Sequence, residues 1–456
     1  MSVPAALTPE CLAELSSRGP RYTSYPPATE FRAVTGDEVS SELAQLRAAG
    51  DPVSLYVHVP FCKSLCWYCG CNVIPTRDKT KGEQYIDVLA TELALVAARL
   101  GGSGFPISEI ALGGGSPNFL SPRSLRTLMA AIDRYFTRDK HARLSVELDP
   151  RDTTTSQIAA FKDAGFHVLS VGVQDFSASV QDAIHRHQTL VQTKWLIDGA
   201  RAAGFTDVNV DIVYGLPRQN EDSFMRTIDS VIGLAPERIA LFGYAHLPDR
   251  LPHQQLVERA GRVLDRYERA TLLLAAIDRL TNAGYIHLGL DHFAKPGSSL
   301  ARAAADKRMI RTFQGYVEQR ATSVIGLGVS AISSTPRMYW QNHTELAAWE
   351  RAIAAAELPI ARGAVLDTDD QIRRSLIERL MCDGEADLDA LGERFGFSPE
   401  RYFASELQAL AAQPELASLD DENTIRTTPI GKLLVRNVCM MFDRYHSAGG
   451  RFSSTI

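Results

Sequence analysis

The chain has 456 residues, of which 45% are hydrophobic and 22% charged, and its formal net charge at pH 7 is −6. That length exceeds one ordinary compact core and predicts a large domain with a smaller companion; nothing in the slightly acidic balance points to nucleic acid or an anionic membrane as partner. No apolar stretch approaches the roughly 18 residues of a bilayer span, and Met1 to Arg18 lacks the basic, apolar, small order of a secretory signal, so a cytoplasmic protein is expected.

Residues 1–50 read as an arm and a lead-in helix. The run Arg21-Tyr22-Thr23-Ser24-Tyr25-Pro26-Pro27 should be extended, because a residue before proline is held out of the helical region. A helix is expected from Asp37 to Ala49, stopped by Gly50. From Asp51 to about Ala294 strands and helices then alternate. The expected strands start at Val53, Glu109, Leu144, Val168, Val208 and Ile239. Helices are expected from Glu83, Pro122, Ser156, Ala178, Val191 and Glu221, with a long one from about Ala260 to Ala283. Six such repeats predict an α/β fold, a partial (β/α)6 TIM-like barrel with its chemistry at the C-terminal strand ends.

Beyond about Gly315 the alternation stops. Gly326-Leu327-Gly328-Val329-Ser330 predicts a close backbone approach, and Thr368 to Asp383 a helix capped by Asp367 or Asp369. The end of the chain reads as a smaller, mainly helical domain with a hairpin near Ala417 to Thr428. The expected organisation is therefore an N-terminal arm (1–50), a catalytic domain (51–365, barrel core about 51–294) and a C-terminal helical domain (366–456).

Four of the seven cysteines fall within ten residues: Cys62, Cys66, Cys69 and Cys71, in a loop directly after the first strand. An intracellular chain that concentrates thiols in this way binds a metal more often than it forms disulfides. Structural zinc prefers four ligands in two pairs from separate hairpins. Three thiolates on a [4Fe–4S] cluster instead leave one iron open for a substrate. Cys71 is either a fourth ligand or a thiol beside the reaction, and the tight Cys69-Gly70-Cys71 spacing favours the second. Gly113-Gly114-Gly115-Ser116 follows a strand, and free N–H groups there would suit a carboxylate. Glu147, Gln174 and Asp211 lie at or near strand C-terminal ends, where a carboxylate suits an amino group or a ribose diol; Arg186 suits a carboxylate.

The Cys-x3-Cys-x2-Cys loop resembles that of the radical S-adenosylmethionine enzymes. Over nearly the whole chain the sequence resembles one family among them, the oxygen-independent coproporphyrinogen III oxidases (dehydrogenases) of haem biosynthesis. Carrying the resemblance are Pro20 to Pro26, Tyr56 to Phe61, Gly172 to Phe176, Asp211 to Pro217, Tyr244 to Pro248, Asp291 to Ala294, Phe313 to Tyr316 and Gly326 to Ser333. Cys69-Gly70-Cys71 is similar to the family's ending, whereas related haem chaperones lack the fourth thiol. The resemblance implies a [4Fe–4S] cluster on Cys62, Cys66 and Cys69, two S-adenosylmethionine molecules and a tetrapyrrole substrate. It also implies an unidentified electron donor and acceptor, a monomer, and no nucleic-acid or membrane partner. The implied reaction turns two propionates of coproporphyrinogen III into vinyl groups through a 5′-deoxyadenosyl radical. The implied contacts to S-adenosylmethionine are Tyr56, Tyr68, Gly114, Gly115, Ser116, Glu147, Gln174, Arg186, Asp211, Ala245 and Ile332, with Cys71 near the reaction. Arg21 and Tyr22 are expected to reach over the active site, and His58, His246 and His292 to be structural. Arginines are the natural partners of the substrate's propionates.

The sequence departs from the family at Ala111, Leu112, Asn118, His167, Val168, Val317 and Glu318. The alternatives are a haem chaperone that keeps the cluster without the activity, or a radical enzyme acting on another tetrapyrrole.

Overall fold

The computed structural model describes residues 7–318, 321–446 and 452–456. The first six residues of the expected arm and residues 447–451 of the expected C-terminal domain lie outside the described residues. Val53–Val59, Phe105–Gly114, Phe136–Leu148, Val168–Gln174, Asp207–Tyr214 and Arg238–Gly243 lie side by side in that order, each pair parallel. In the first strand every residue but Tyr56 is buried. Burial on both faces is what a parallel sheet covered by helices imposes, so these strands read as continuous β-branched and aliphatic runs.

The helices that return the chain start where a polar residue closes the first turn. Thr154 with Gln157, Thr189 with Gln192, Asn220 with Ser223 and Asp265 with Glu268 each form a reciprocal capping box. The caps hold the helix starts firmly, which leaves the loops at the strand ends to carry chemistry.

Pairing continues where the alternation of the sequence ends. Val324–Leu327 adds a parallel strand on the free side of the first one, followed by antiparallel Ile332–Ser334, Met338–Asn342 and Ile360–Val365. At the other edge His292–Ala294 and Ile286–Gly289 pair antiparallel beyond the sixth strand. The sheet therefore has twelve strands around its six-repeat core. The added strands are short, and several join through tight turns without helices, so no strand–helix alternation marks them. The close approach expected at Gly326 to Ser330 is present: Gly328 has a φ of +94°, and a Cβ there would lie 2.3 Å from the Tyr85 hydroxyl. Its amide donates to buried Glu92 at 2.8 Å, and the same carboxylate accepts from Asn342 Nδ2 (2.6 Å) and Trp349 Nε1 (3.1 Å).

Thr368–Asp383 is a helix, and of the two candidate caps Asp367 is the one used, accepting from the Asp370 amide at 2.8 Å. The hairpin of Ala417–Leu419 with Thr424–Thr427 gains a third strand, Glu385–Asp387. The arm is held at Pro20 to Tyr22. Arg21 Nη2 donates to the Gly243 carbonyl at 2.7 Å, Tyr22 Oη to Asp443 at 2.9 Å, and Arg436 Nε to the Pro20 carbonyl at 2.8 Å. A single apolar cluster runs from Leu12 through the barrel to Phe442.

Candidate active site

The first strand ends at Val59, and Phe61–Cys62 then pairs with Ile74–Pro75, folding the cysteine loop back over the barrel mouth. Cys62 Sγ lies 3.6 Å from Ser116 Oγ. Cys66 Sγ accepts from Arg186 Nη1 at 3.6 Å and Arg151 Nη2 at 3.7 Å. The Cys69 amide donates to the Cys66 carbonyl at 3.1 Å. Burial, opposed by Ser116 and reinforced by the Cys69 and Cys66 sulfurs, pushes the Cys62 thiol up to about 11. A metal centre would relieve that crowding, because a bound thiol is deprotonated outright. Guanidinium donors beside a sulfur also suit an iron–sulfur site, whose potential depends on such bonds. Among the described residues no group of three or more His, Cys, Asp or Glu closes on a single ion.

Arg186 is the hub beneath the loop. It donates to Cys66, to Asp149 (3.4 Å) and to the Gly172 carbonyl (2.6 Å), while its buried Nε has no partner. Arg151 meets the same carboxylate at 2.6 Å. Burial would raise Asp149, but the two guanidiniums hold it well below the usual carboxylate range. Asn118, a departure from the family pattern, is absorbed here: its side-chain amide makes two hydrogen bonds to the main chain of Asp149. Ala111, Leu112, Val168 and Val317 are buried packing residues. His167 is half-buried, and Glu318 pairs with Arg308 at 2.9 Å.

The glycine run behaves differently from its expectation. Its N–H groups are not free: Gly114 donates to Glu147 at 3.3 Å, Gly115 to the Val59 carbonyl at 2.8 Å and Ser116 to the Phe61 carbonyl at 2.9 Å. The close approach that the glycines permit is the protein's own, since a Cβ on Gly114 (φ +106°) would lie 2.4 Å from the His58 ring. Beside this turn two carboxylates face the mouth. Burial, then repulsion from Asp211, pushes Glu147 up to about 7, and burial also raises Asp211 despite the amide of Asn209 at 2.7 Å. Among the described residues neither forms an ion pair, so the two together present an unsatisfied site for a cation. Gln174 stands after a bulge with a φ of +69°, which re-aims its side chain at the strand's end.

The other expected residues divide between a cavity and its floor. Tyr56, Cys71, Gly114, Glu147 and Ile332 line a cavity of about 1190 Å³. Arm residues Tyr22 to Tyr25 form another part of its wall, as do residues of the Thr368–Asp383 helix such as Arg374. Tyr68 packs against an apolar cluster around Val213 and Tyr244. His58 bridges Tyr56 Oη (3.1 Å) and the Asn72 carbonyl (2.9 Å), His246 joins Tyr244 to Glu258, and His292 meets Asp291. Each of the three histidines is thus hydrogen-bonded within the protein, and His58 also lines the cavity.

Four residues here carry no signal in the sequence: Asp149, Arg151, His253 and Gln254. His253 Nε2 lies 2.7 Å from the Cys69 carbonyl. Gln254 is fully buried; its Nε2 donates to the Tyr68 and Ala245 carbonyls (3.0 and 3.1 Å), and its Oε1 accepts from the Leu247 amide at 2.6 Å. The histidine and glutamine clamp the cysteine loop from a segment about 185 residues away.

A family model described as the Radical SAM superfamily matches residues 56–231. The oxygen-independent coproporphyrinogen III oxidase of Pseudomonas aeruginosa is 39% identical over 439 residues, 94% of this chain and 93% of that protein. Its counterpart in Escherichia coli is 38% identical over 428 residues, 94% and 93% of the two chains. The solved structure of coproporphyrinogen III oxidase from Escherichia coli, described as a radical SAM enzyme, superposes with a TM-score of 0.89 at 37% identity. It covers 93% of this chain and 98% of its own.

Proposed function

The chain belongs to the oxygen-independent coproporphyrinogen III oxidases of the radical S-adenosylmethionine superfamily, and from that membership we propose how its residues share the work. It is an oxidoreductase that removes, without oxygen, the carboxyl groups of two propionates of coproporphyrinogen III and leaves the vinyl groups of protoporphyrinogen IX. When bound, an iron–sulfur cluster and S-adenosylmethionine supply the radical that begins the oxidation.

Cys62, Cys66 and Cys69 hold a [4Fe–4S] cluster, with Arg186 and Arg151 donating to the sulfur of Cys66. Glu147 and Asp211, half-buried and among the described residues without an ion-pair partner, receive the amino and ribose groups of S-adenosylmethionine, for which Ser116 and Gln174 supply further polar contacts. Tyr56, Tyr68, Ala245 and Ile332 pack on its apolar parts. Two such molecules occupy the mouth. Cys71 is not a ligand: it lines the substrate cavity, where its thiol faces the reacting side chain. Arg374 lines the same cavity half-buried, and among the described residues it pairs with no carboxylate. It takes a propionate of the substrate. The arm closes one wall and excludes water. The helix Gly36–Ala49 ends before the first strand at Val53, which supports a division at 50, and the large sheet ends at Val365 before the helix from Thr368, which supports one at 365. The protein acts as a monomer, with donor and acceptor of electrons supplied from outside.

The observation that carries this reading is the cysteine loop, braced by two guanidiniums at Cys66 and bordering a cavity of tetrapyrrole size. The test is anaerobic reconstitution with iron and sulfide, then S-adenosylmethionine, a reductant, an electron acceptor and coproporphyrinogen III, with products followed by mass. Protoporphyrinogen IX is expected, and Cys62→Ser should abolish both it and 5′-deoxyadenosine. Formation of 5′-deoxyadenosine with the porphyrinogen untouched would sink the substrate assignment. Stoichiometric haem binding without either product would favour a haem-binding paralogue.

A further inference from the structure

Away from the cysteine loop, four arginines crowd one seam of the molecule. Arg269, Arg311 and Arg436 are 7%, 8% and 3% exposed, and Arg21 from the arm is half-buried beside them. One buried carboxylate, Asp291, stands among them, and it is already engaged by His292 at 2.6 Å and Arg311 at 3.4 Å. Among the described residues Arg21, Arg269 and Arg436 form no ion pair. Their donors go to main-chain carbonyls: Arg21 to Gly243, Arg269 to Tyr244 (2.9 Å), and Arg436 to Pro20 and Ser454 (2.8 and 2.6 Å). Carbonyl dipoles solvate a guanidinium but cancel no charge. Arginine does not escape by losing its proton in proteins, so the four guanidiniums outnumber the one side-chain carboxylate of this low-dielectric seam, where even one uncompensated charge costs several kcal/mol.

The seam encloses a cavity of about 20 Å³, lined by Arg21, Arg269 and Arg436, by Asp291, whose carboxylate His292 and Arg311 already engage, and by Tyr214 and the segment Ser454 to Ile456. That is room for one water-sized particle. The Nε of Arg269 is buried there without a partner. Burial, then Arg21 and Arg311, pushes the Arg436 guanidinium down to about 9, the response of a cation that lacks a counter-ion.

We propose that this cavity is a binding site for one small monovalent anion of the halide class, held by Arg21, Arg269 and Arg436. The anion pins the arm, the sixth strand's end and the C-terminal segment to one another, because each contributes a wall. A substrate carboxylate would present the same chemistry; the size and walls of the cavity favour the free ion.

Crystals of the anaerobically reconstituted holoenzyme, soaked in sodium bromide without substrate and measured at the bromine edge, should show an anomalous peak between Arg269 and Arg436. In solution the melting temperature of the holoenzyme should rise saturably as chloride replaces gluconate at constant ionic strength, and Arg269→Gln should lose that rise. A pocket without bromide overturns the proposal, as does a melting temperature that follows ionic strength alone. Density for a propionate in the pocket, in crystals grown with coproporphyrinogen III and closed to bromide, overturns the free ion and assigns the site to substrate. The two measurements on the unaltered protein decide the matter even if Arg269→Gln does not fold.

Discussion

Gln254 uses both ends of its amide on main-chain groups of the site, and a hydrocarbon in its place would leave two carbonyls and one amide buried without partners. Each such loss costs about 1–3 kcal/mol. Gln254→Leu should therefore destabilise the protein by about 3 kcal/mol or more in denaturant unfolding. It should also weaken S-adenosylmethionine binding measured by calorimetry, since Tyr68 and Ala245 lose their common anchor. Arg186 is exposed to the same logic with charge added. Removing one partner of a buried ion pair typically costs about 3–5 kcal/mol, and Arg151 remains to meet Asp149, so Arg186→Met should sit near 3 kcal/mol. Cluster content of that variant, read by iron and sulfide analysis, should fall along with stability. Gln254 is not marked in the chain as written, for its partners lie far away in sequence; Arg186 is, as a residue suited to a carboxylate, but its partner Asp149 is not.

At the scale of elements, Glu92 joins the Thr80–Arg99 helix to the turn after Val324–Leu327 and to the strand Met338–Asn342. Burial, opposed by bonds from Gly328, Asn342 and Trp349, pushes its carboxyl up to about 7. The sign follows from linkage. A carboxyl raised in the folded state binds its proton more tightly there than when unfolded. The stability it lends is full below the unfolded value and is lost as pH rises through 7. The loss between pH 5 and pH 8 should approach about 3 kcal/mol. Urea midpoints across that range should decline with pH, and Glu92→Gln should flatten the decline; a variant as steep as the parent would discard this account. The barrel elements themselves were legible, because buried parallel strands and capped helices each leave a local pattern. The edge strands from Val324 to Val365 were not, since short strands with tight turns leave none.

For the whole molecule, the cavity draws its walls from the barrel mouth, the arm and the helix of Thr368–Asp383 together. A substrate with four propionates in such a chamber needs cations that are not already paired, and Arg374 is one. Its Nη1 donates to the Thr335 carbonyl at 2.6 Å and its guanidinium lies 4.8 Å from the Tyr339 ring, so the group is aimed but not neutralised. Arg374→Met should weaken coproporphyrinogen III binding by about 1.5–3 kcal/mol, the worth of a charged hydrogen bond. S-adenosylmethionine affinity in the same variant should not change. An equal loss in both affinities, followed by fluorescence and calorimetry, would remove Arg374 from the substrate site.

The sequence alone determined what is local. Three candidate ligands fall within eight residues from Cys62 to Cys69, six strand–helix repeats each carry their own apolar pattern, and helix ends are written in local residues such as Gly50. Tertiary structure decided everything that depends on which distant segments meet. It showed that the glycine run's amides are spent inside the protein and that Asp149 and Arg151 stand beneath the cysteine loop. It also showed that His253 and Gln254 clamp that loop, and that four arginines share a seam with one carboxylate. Hydrogen bonds and charges act over a few ångströms, and the chain brings those partners together only after the barrel has closed around them.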